Sequence, residues 1–249
     1  MLRRTVLVTG GGKRLGAAIA RAAAGAGWRV AIHYGRSADE ARALARELDG
    51  VAVQGDLADT AAAAALFARA REAAGGPVAG LVNSASMFEY DRPEGIDAAL
   101  AARLHAINAV TPALLAAALA AQDDVDDGAV VNLLDQKLAN PNPDFFSYSL
   151  SKYALAGATT MLAQALAPTV RVNAVAPGIT LPSGDQSDAA FAAVASDNLL
   201  RRPVGAANVA EAVVYLLGAR SVTGQTLYVD CGQRFVQRDG DVMFEGRGG

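Results

Sequence analysis

Short runs of β-branched and apolar residues alternate along the chain with longer segments rich in alanine and leucine. The short runs have the length of buried strands, and the longer segments have the length and composition of helices. Strands are predicted over residues 5–9, 29–34, 51–54, 79–83, 129–134, 170–175 and 226–229. Helices are predicted over residues 15–26, 37–48, 60–73, 97–121, 146–167 and 208–217.

This alternation of strands and helices predicts an α/β fold in which a parallel sheet has helices on both faces. Right-handed crossovers between the strands then make the sheet doubly wound. The chain shows no linker and no repeat, so we predict a single domain over residues 1–249 with a polar tail at 238–249. Residues 180–187 are the best candidate for a mobile loop.

Composition narrows the classes of function. Hydrophobic residues make up 52% of the chain, which is enough for a substantial core, and the net charge of −3 argues against nucleic-acid binding. Two histidines and the single Cys231 give no metal-ligand spacing and no intrachain disulfide. The longest apolar stretch, 109–121, is short and contains Pro112, and no signal peptide precedes the first strand. These features predict a cytoplasmic protein without a membrane span.

A glycine-rich segment, TGGGKRLG at residues 9–16, joins the first predicted strand to the first helix. Glycine allows a tight turn and close approach to a ligand, and the helix start offers free N–H groups to a pyrophosphate. Leu15 departs from the G-x-G-x-x-G spacing, and Ala17 and Ala18 exclude a P-loop. A purely structural turn is the alternative to a dinucleotide site. The residues of this turn assigned to the cofactor are Gly10, Lys13, Arg14, Leu15 and Gly16.

The end of the second predicted strand indicates which dinucleotide is bound. NAD sites usually place an acidic residue here, and none occurs before Asp39. Arg36 and Ser37 could instead hold a 2′-phosphate, with Arg14 as a second cation across the turn. Alternatively, Arg36 is merely solvated and Ser37 caps the next helix. We therefore predict NADP(H), with His33 also in the cofactor-binding set but without a catalytic role.

Tyr148 and Lys152 are four residues apart on a predicted helix and therefore share one face. A neighbouring ammonium is expected to lower the pKa of the phenol below its reference of about 10, so that Tyr148 exchanges a proton near neutral pH. Asp135 lies thirteen residues before Tyr148, at the end of a buried strand, where doubly wound folds bind ligands. The alternative for Asp135 is a cap on a neighbouring helix or a pair with Lys137.

These motifs, in their order and spacing over about residues 5–236, resemble the short-chain dehydrogenase/reductase family. The segments that carry the resemblance are 9–16, 56–57, 83–85, Asn108, Tyr148 with Lys152, 177–178 and 229–230. Within the family the chain is most similar to pteridine reductases, through 12–16, 33–37, 85–88 and Asp135, where most members have serine. Ser84, Cys231 and Arg14 depart from the common family pattern; Arg14 is shared with pteridine reductases.

The resemblance implies a role for each matching residue. Asp56 and Leu57 would contact the adenine. Asn83, Ala85, Pro177 and Gly178 are assigned to the cofactor groove. Ser86 would lie near both pyrophosphate and substrate, and Phe88 would stack on a flat heterocycle. Asn108 would shape the fourth helix and hold a water of the proton relay, while Lys152 would bind the nicotinamide ribose.

The combined prediction is a single-domain Rossmann-type reductase that reduces a pterin, dihydropterin or folate-like ring with NADPH, using Asp135, Tyr148, Lys152 and Asn108. An ionised Asp135 suits the amino and ring N–H groups of a pterin, whereas a ketone offers it no donor. The alternatives are an NADPH-dependent carbonyl reductase of the 3-oxoacyl or sugar type and a catalytically silent NADP(H)-binding regulator. The resemblance also implies a homotetramer formed through helices 97–121 and 146–167.

Overall fold

The structure, a computed structural model, describes residues 3–182 and 188–241. Its centre is a sheet of seven parallel strands. The strands are β1 (Thr5–Val8), β2 (Arg29–Tyr34), β3 (Val51–Gln54), β4 (Val78–Asn83), β5 (Gly128–Leu133), β6 (Val170–Pro177) and β7 (Thr226–Val229). They are ordered β3-β2-β1-β4-β5-β6-β7.

Helices cover both faces of this sheet. They are α1 (Arg14–Gly25), α2 (Ala38–Glu47), α3 (Ala63–Ala74), α4 (Ala98–His105), α5 (Thr111–Ala120), α6 (Phe146–Ala165), α7 (Asp188–Ala195) and α8 (Ala206–Gly218). Helices α1, α2 and α8 pack on one face, and α3, α5 and α6 pack on the other, each group over its own apolar core. The predicted Rossmann-type, doubly wound fold is therefore confirmed.

The order of the strands determines where the ligand crevice lies. From β1 the chain builds the sheet outward to β3, and then returns to start β4 on the other side of β1. At such a switch point the loops after the strands separate and leave a crevice at the carboxyl ends. The turn after β1, the segment after β4 and the residues after β5 and β6 all open onto this edge, as the sequence predicts.

Two helical regions differ from the prediction. The helix expected over 97–121 is interrupted by one wide π turn at Ala106–Val110, between α4 and α5. Such turns are rare and occur frequently at functional sites. Helix α7 was not predicted, because its eight residues are too short to show a clear period. Of the loop expected at 180–187, residues 183–187 lie outside the described residues.

By length and composition alone, the helical stretch Ala98–Ala120 could cross a membrane, with a mean hydropathy of 1.3. Its position in the fold gives another reason for this apolar composition. The stretch is the crossover between β4 and β5, and Leu115, Ala116 and Leu119 are completely buried against the sheet. A cytoplasmic location stays a prediction.

Candidate active site

The turn after β1 favours glycine at one position for its backbone conformation and requires it at another for lack of space. Gly10 has a φ of +62°, and a Cβ on Gly16 would lie 2.2 Å from the Gly10 carbonyl oxygen. The Thr9 hydroxyl accepts hydrogen bonds from the backbone N–H groups of Ser84 and Ala85, each at 3.1 Å. This hydroxyl therefore joins the turn to the segment after β4 and brings both walls of the crevice together.

His33 supports the turn from below. The Gly10 N–H donates to its Nδ1 at 3.2 Å, so Nε2 carries the proton and donates to the Gly55 carbonyl at 3.2 Å. Burial lowers the pKa of His33 to about 4, which keeps the ring neutral. His33 is thus an internal support of the predicted phosphate turn, and it is 2% exposed.

The cations of the turn do not all lie where the sequence predicts. The guanidinium of Arg14 donates to the Pro182 carbonyl and lines the cavity that contains Asp135 and Tyr148. Its role as a second cation for a 2′-phosphate, together with Arg36, stays a prediction. Lys13 instead extends toward α2, where its ammonium lies 2.6 Å from the Glu40 carboxylate.

Arg36 and Ser37 follow β2 at the edge of the crevice. Arg36 is exposed, and Ser37 occupies the position before α2 without a side-chain capping hydrogen bond. The alternative of Ser37 as the N-cap residue is therefore met by its position but not by a hydrogen bond of its hydroxyl. Both side chains remain available to a ligand beyond the end of β2.

The remaining residues assigned to the cofactor lie along the same edge. Asp56 is exposed after β3, and the Leu57 carbonyl beneath it accepts a hydrogen bond from the Thr111 hydroxyl at 2.8 Å. Asn83 is buried and donates to the side chain of Asn132 at 2.8 Å, while its own Oδ1 has no partner in the described residues. These residues follow or end β3 and β4 at one edge of the sheet, and their contacts with a cofactor stay a prediction.

Pro177 and Gly178 end β6 on the opposite side of the crevice. A Cβ on Gly178 would lie 2.6 Å from Oε1 of Gln233, and this same oxygen accepts the Ile179 N–H at 2.8 Å. Gln233 thus holds the turn after β6 in place. It carries no motif in the sequence and was not predicted.

Asp135, Tyr148 and Lys152 converge at the bottom of the crevice. The Tyr148 hydroxyl donates to Oδ2 of Asp135 at 2.8 Å, and Oδ1 of Asp135 accepts the Lys137 N–H, also at 2.8 Å. The Lys152 ammonium donates to the Leu133 carbonyl at 2.8 Å and lies 5.7 Å from the Tyr148 ring centre. Asp135 therefore combines the capping role with the predicted contact to the phenol.

The pKa of Tyr148 shifts in the direction opposite to that expected from the sequence. Burial and the adjacent Asp135 carboxylate raise the pKa of the phenol well above 10, and burial also raises the pKa of Asp135. Burial lowers the pKa of Lys152 to about 8. The charge nearest the hydroxyl is a carboxylate rather than an ammonium, so the phenol keeps its proton.

Asn108 lies in the π turn and connects three parts of the site. Its amide donates to the Met87 carbonyl at 2.9 Å and to the Ser151 hydroxyl at 3.0 Å, and its Oδ1 accepts the Met87 N–H at 2.8 Å. The Ser86 hydroxyl donates to the same oxygen at 3.3 Å. Asn108 thereby positions the segment after β4 against α6. Its role in holding a water stays a prediction.

An aromatic cluster forms one wall of the site. Phe88 stacks on Phe145 with ring centres 4.1 Å apart and meets Tyr148 edge-on at 4.7 Å. One face of Phe88 is therefore already covered, and a heterocycle could stack only on the other. The ring is 37% exposed and lines a cavity of about 500 Å³ together with Ser86, Asp135 and Tyr148.

The cavity also includes three charged residues that were not predicted. They are Lys137, Arg238 and Asp241. Lys137 is visible in the sequence only as a neighbour of Asp135. Arg238 and Asp241 come from the predicted polar tail, and more than 90 residues separate them from Asp135, so no local pattern could have placed them.

Comparison with known proteins agrees with this geometry. A family model described as enoyl-(acyl carrier protein) reductase matches residues 12–234. Pteridine reductase 1 of Leishmania tarentolae is 31% identical, over 91% of this chain and 94% of that protein. The 3-oxoacyl-[acyl-carrier-protein] reductase FabG of Staphylococcus aureus is 29% identical, over 93% of this chain and 98% of that protein.

Solved structures resemble this one over almost its full length. The crystal structure of FolM alternative dihydrofolate reductase 1 from Brucella canis, complexed with NADP, has a TM-score of 0.90 and 41% sequence identity. It covers 96% of this chain, and this chain covers 96% of it. The same enzyme from Brucella suis, also in complex with NADP, gives equal values of TM-score and identity. With a family model that matches most of its length and a fold shared with solved reductases, this chain belongs to the short-chain dehydrogenase/reductase family of oxidoreductases.

Proposed function

We propose that this enzyme uses NADPH to reduce a C=N bond in a pterin, dihydropterin or folate-like ring. The observation that carries the proposal is the 2.8 Å hydrogen bond between Asp135 and Tyr148 inside the cavity. A carboxylate at this point can accept hydrogen bonds from the amino and ring N–H groups of a pterin. Pteridine reductase 1 and the FolM dihydrofolate reductases among the similar proteins support this substrate class.

The residues present fit a dinucleotide. Gly10 and Gly16 leave room for close approach at the start of α1, where a Cβ on Gly16 would meet the carbonyl of Gly10. The first N–H groups of that helix are donors for a pyrophosphate. Arg36 and Ser37 lie beyond β2, where they would hold a 2′-phosphate. When bound, NADPH supplies the hydride.

The protein side chains then position the ring and deliver the proton. Asp135 would hold the amino edge of the ring, and the open face of Phe88 would cover one side of it. The phenol of Tyr148, whose raised pKa keeps it protonated, would give its proton to the ring nitrogen. Lys152, buried below it, would bind the ribose, and Asn108 keeps the segment of Ser86 in place.

A substrate panel tests the proposal. Purified protein is mixed with NADPH and a dihydropterin, dihydrofolate or a 3-oxoacyl thioester, and NADPH consumption is followed by absorbance. We expect turnover with the first two substrates and little with the thioester, because a ketone gives Asp135 no donor. Preferential thioester reduction would support a carbonyl reductase instead, in line with the similarity to FabG. NADPH binding without any turnover would support a regulator.

Arg36→Ala is expected to weaken NADPH binding about 10-fold while leaving NADH binding within about 2-fold, since hydrogen bonds to charged groups contribute ~1.5–3 kcal/mol. The reason is that only NADPH carries the 2′-phosphate. Dissociation constants for both cofactors from fluorescence titration check this. Arg46→Ala, an exposed arginine in the last turn of α2, is the control. An unchanged preference would show that the phosphate is held elsewhere.

We also propose that the protein is a homotetramer in which α6 packs against α6 of another copy. Leu150, Tyr153 and Met161 lie along one side of α6 and are 42%, 43% and 63% exposed. Gly157, on the same side, has open space around its missing side chain, which would let a partner helix approach closely. Apolar residues exposed in such a row are typical of an interface between subunits.

Met161→Glu is expected to convert a tetramer of wild-type protein into smaller species, because a charge would be buried without a partner at the interface. Light scattering after size exclusion measures the mass. Ile96→Glu, at a residue that is 48% exposed outside α6, is the matched control and should leave the mass unchanged. A monomeric wild-type protein, or equal behaviour of both variants, would contradict the proposed interface.

A further inference from the structure

Lys137 and Asp241 form an ion pair on the wall of the substrate cavity. The Lys137 ammonium lies 3.0 Å from Oδ2 of Asp241, and the lysine side chain is only 6% exposed. Both residues line the same cavity as Asp135 and Tyr148. A cation buried to this degree needs an anionic partner, because an uncompensated buried charge is strongly destabilising. Neither residue has a part in the proton transfer described above.

Residues 236–241 are also held by contacts other than this ion pair. The backbone N–H of Asp241 donates to Oδ2 of Asp144 at 2.8 Å, and the other oxygen of Asp144 accepts from Arg92 at 2.9 Å. The Asn140 amide also donates to the Val236 carbonyl at 2.6 Å. The side chain of Asp241 can therefore leave Lys137 while its backbone stays on the cavity wall.

Lys137 is likewise held in place by contacts other than Asp241. Its N–H donates to Asp135 at 2.8 Å, and its ammonium lies 5.4 Å from the ring centre of Phe145. Phe145 in turn stacks on Phe88. Lys137 thus lines the same cavity as Asp135 and Phe88, the two groups that are proposed to hold the substrate ring.

We propose that Lys137 recognises a carboxylate carried by the substrate, and that this carboxylate replaces Asp241 on the Lys137 ammonium. The inference rests on the proposed pterin reduction and deepens it by naming the substituent. One carboxylate exchanges for another, so the buried cation stays paired throughout. Asp241 thus occupies the place that the substrate carboxylate would take on Lys137, and a pterin with an uncharged substituent leaves the ion pair intact.

The test compares two fluorescent ligands, pterin-6-carboxylate and 6-hydroxymethylpterin, bound to protein saturated with NADP. We expect Asp241→Asn to bind pterin-6-carboxylate about 10-fold more tightly than wild type does, because the competing carboxylate of Asp241 is gone. The affinity for 6-hydroxymethylpterin should change less than about 3-fold. Lys137→Gln should weaken the carboxylate about 10-fold relative to the hydroxymethyl compound. Equal changes for both ligands in either variant would overturn the inference and leave only a structural ion pair.

Two controls separate this result from loss of folding or of the proposed function. Asp124→Asn breaks the exposed 2.6 Å pair with Arg71 and should alter neither affinity. If a single variant does not fold, the double variant Lys137→Gln/Asp241→Asn, which buries no unpaired charge, should bind both pterins without a carboxylate preference. A double variant that keeps the wild-type preference contradicts the inference.

Failure of pterin reduction can be told apart from failure of carboxylate recognition by Lys137. Wild-type protein that binds neither pterin would refute pterin reduction, and benzoate then serves as a flat carboxylate without a pterin edge. Benzoate that raises the melting temperature of Asp241→Asn more than that of Lys137→Gln would support carboxylate recognition by Lys137. If benzoate shifts the melting temperatures of the two variants equally, carboxylate recognition by Lys137 is overturned.

Discussion

Tyr148→Phe is expected to lower kcat for a dihydropterin about 1,000-fold, since a positioned general acid contributes roughly 10²–10⁴-fold. The substitution removes the only group on this ring that can donate a proton. The ring itself remains, so its edge contact with Phe88 and its burial are kept. Steady-state rates of NADPH consumption, with the NADPH dissociation constant measured in parallel, give the result.

Tyr153→Phe is the matched control for this variant. Tyr153 lies on the same helix, is 43% exposed, and its hydroxyl donates to the Leu138 carbonyl at 3.0 Å. Removal of this hydroxyl should change kcat less than about 3-fold, because Tyr153 does not line the cavity, its ring stays in the proposed α6 interface, and a single hydrogen bond is worth roughly 1 kcal/mol. Wild-type rates in Tyr148→Phe would show that another group or a water supplies the proton.

Asp135→Ser is expected to lower kcat/KM for a dihydropterin about 100-fold and to leave NADPH affinity within about 3-fold. Two hydrogen bonds from the ring to a carboxylate would be lost, and each is worth ~1.5 kcal/mol or more. Serine can still accept the Lys137 N–H, which Asp135 now accepts at 2.8 Å, so the turn at 136–139 should keep its cap. Kinetics with NADPH and fluorescence titration of the cofactor separate the two effects.

Asp135→Asn provides the companion measurement, because it keeps the size of the side chain and removes its charge. We expect a loss in kcat/KM close to that of the serine variant if the carboxylate charge is what holds the ring. Equal losses of substrate turnover and of cofactor affinity would contradict the assignment of Asp135 to the substrate. Faster reduction of a 3-oxoacyl thioester by Asp135→Ser would support the assignment of Asp135 to the substrate, since it would show that Asp135 selects against carbonyl substrates.

Much of the fold was predictable because its signals are local. The bounds of β2, β3 and β7 agree with the prediction, and the other strands differ by no more than two residues at an end. A buried parallel strand is a short apolar run, and such runs were separated by alanine-rich helices. The π turn was not predictable, because its residues have the same apolar pattern as the helices on either side.

The sequence by itself determined the alternation of strands and helices, the glycine-rich turn and the spacing that brings Tyr148 and Lys152 to one helix face. These follow from period, handedness and backbone freedom, which act over a few residues. Only the tertiary structure decided where Arg14 points, that burial and then a carboxylate raise the pKa of Tyr148, and that Asp241 reaches Lys137. Those outcomes depend on burial and on contacts between distant segments, and a local pattern in the chain carries no information about either.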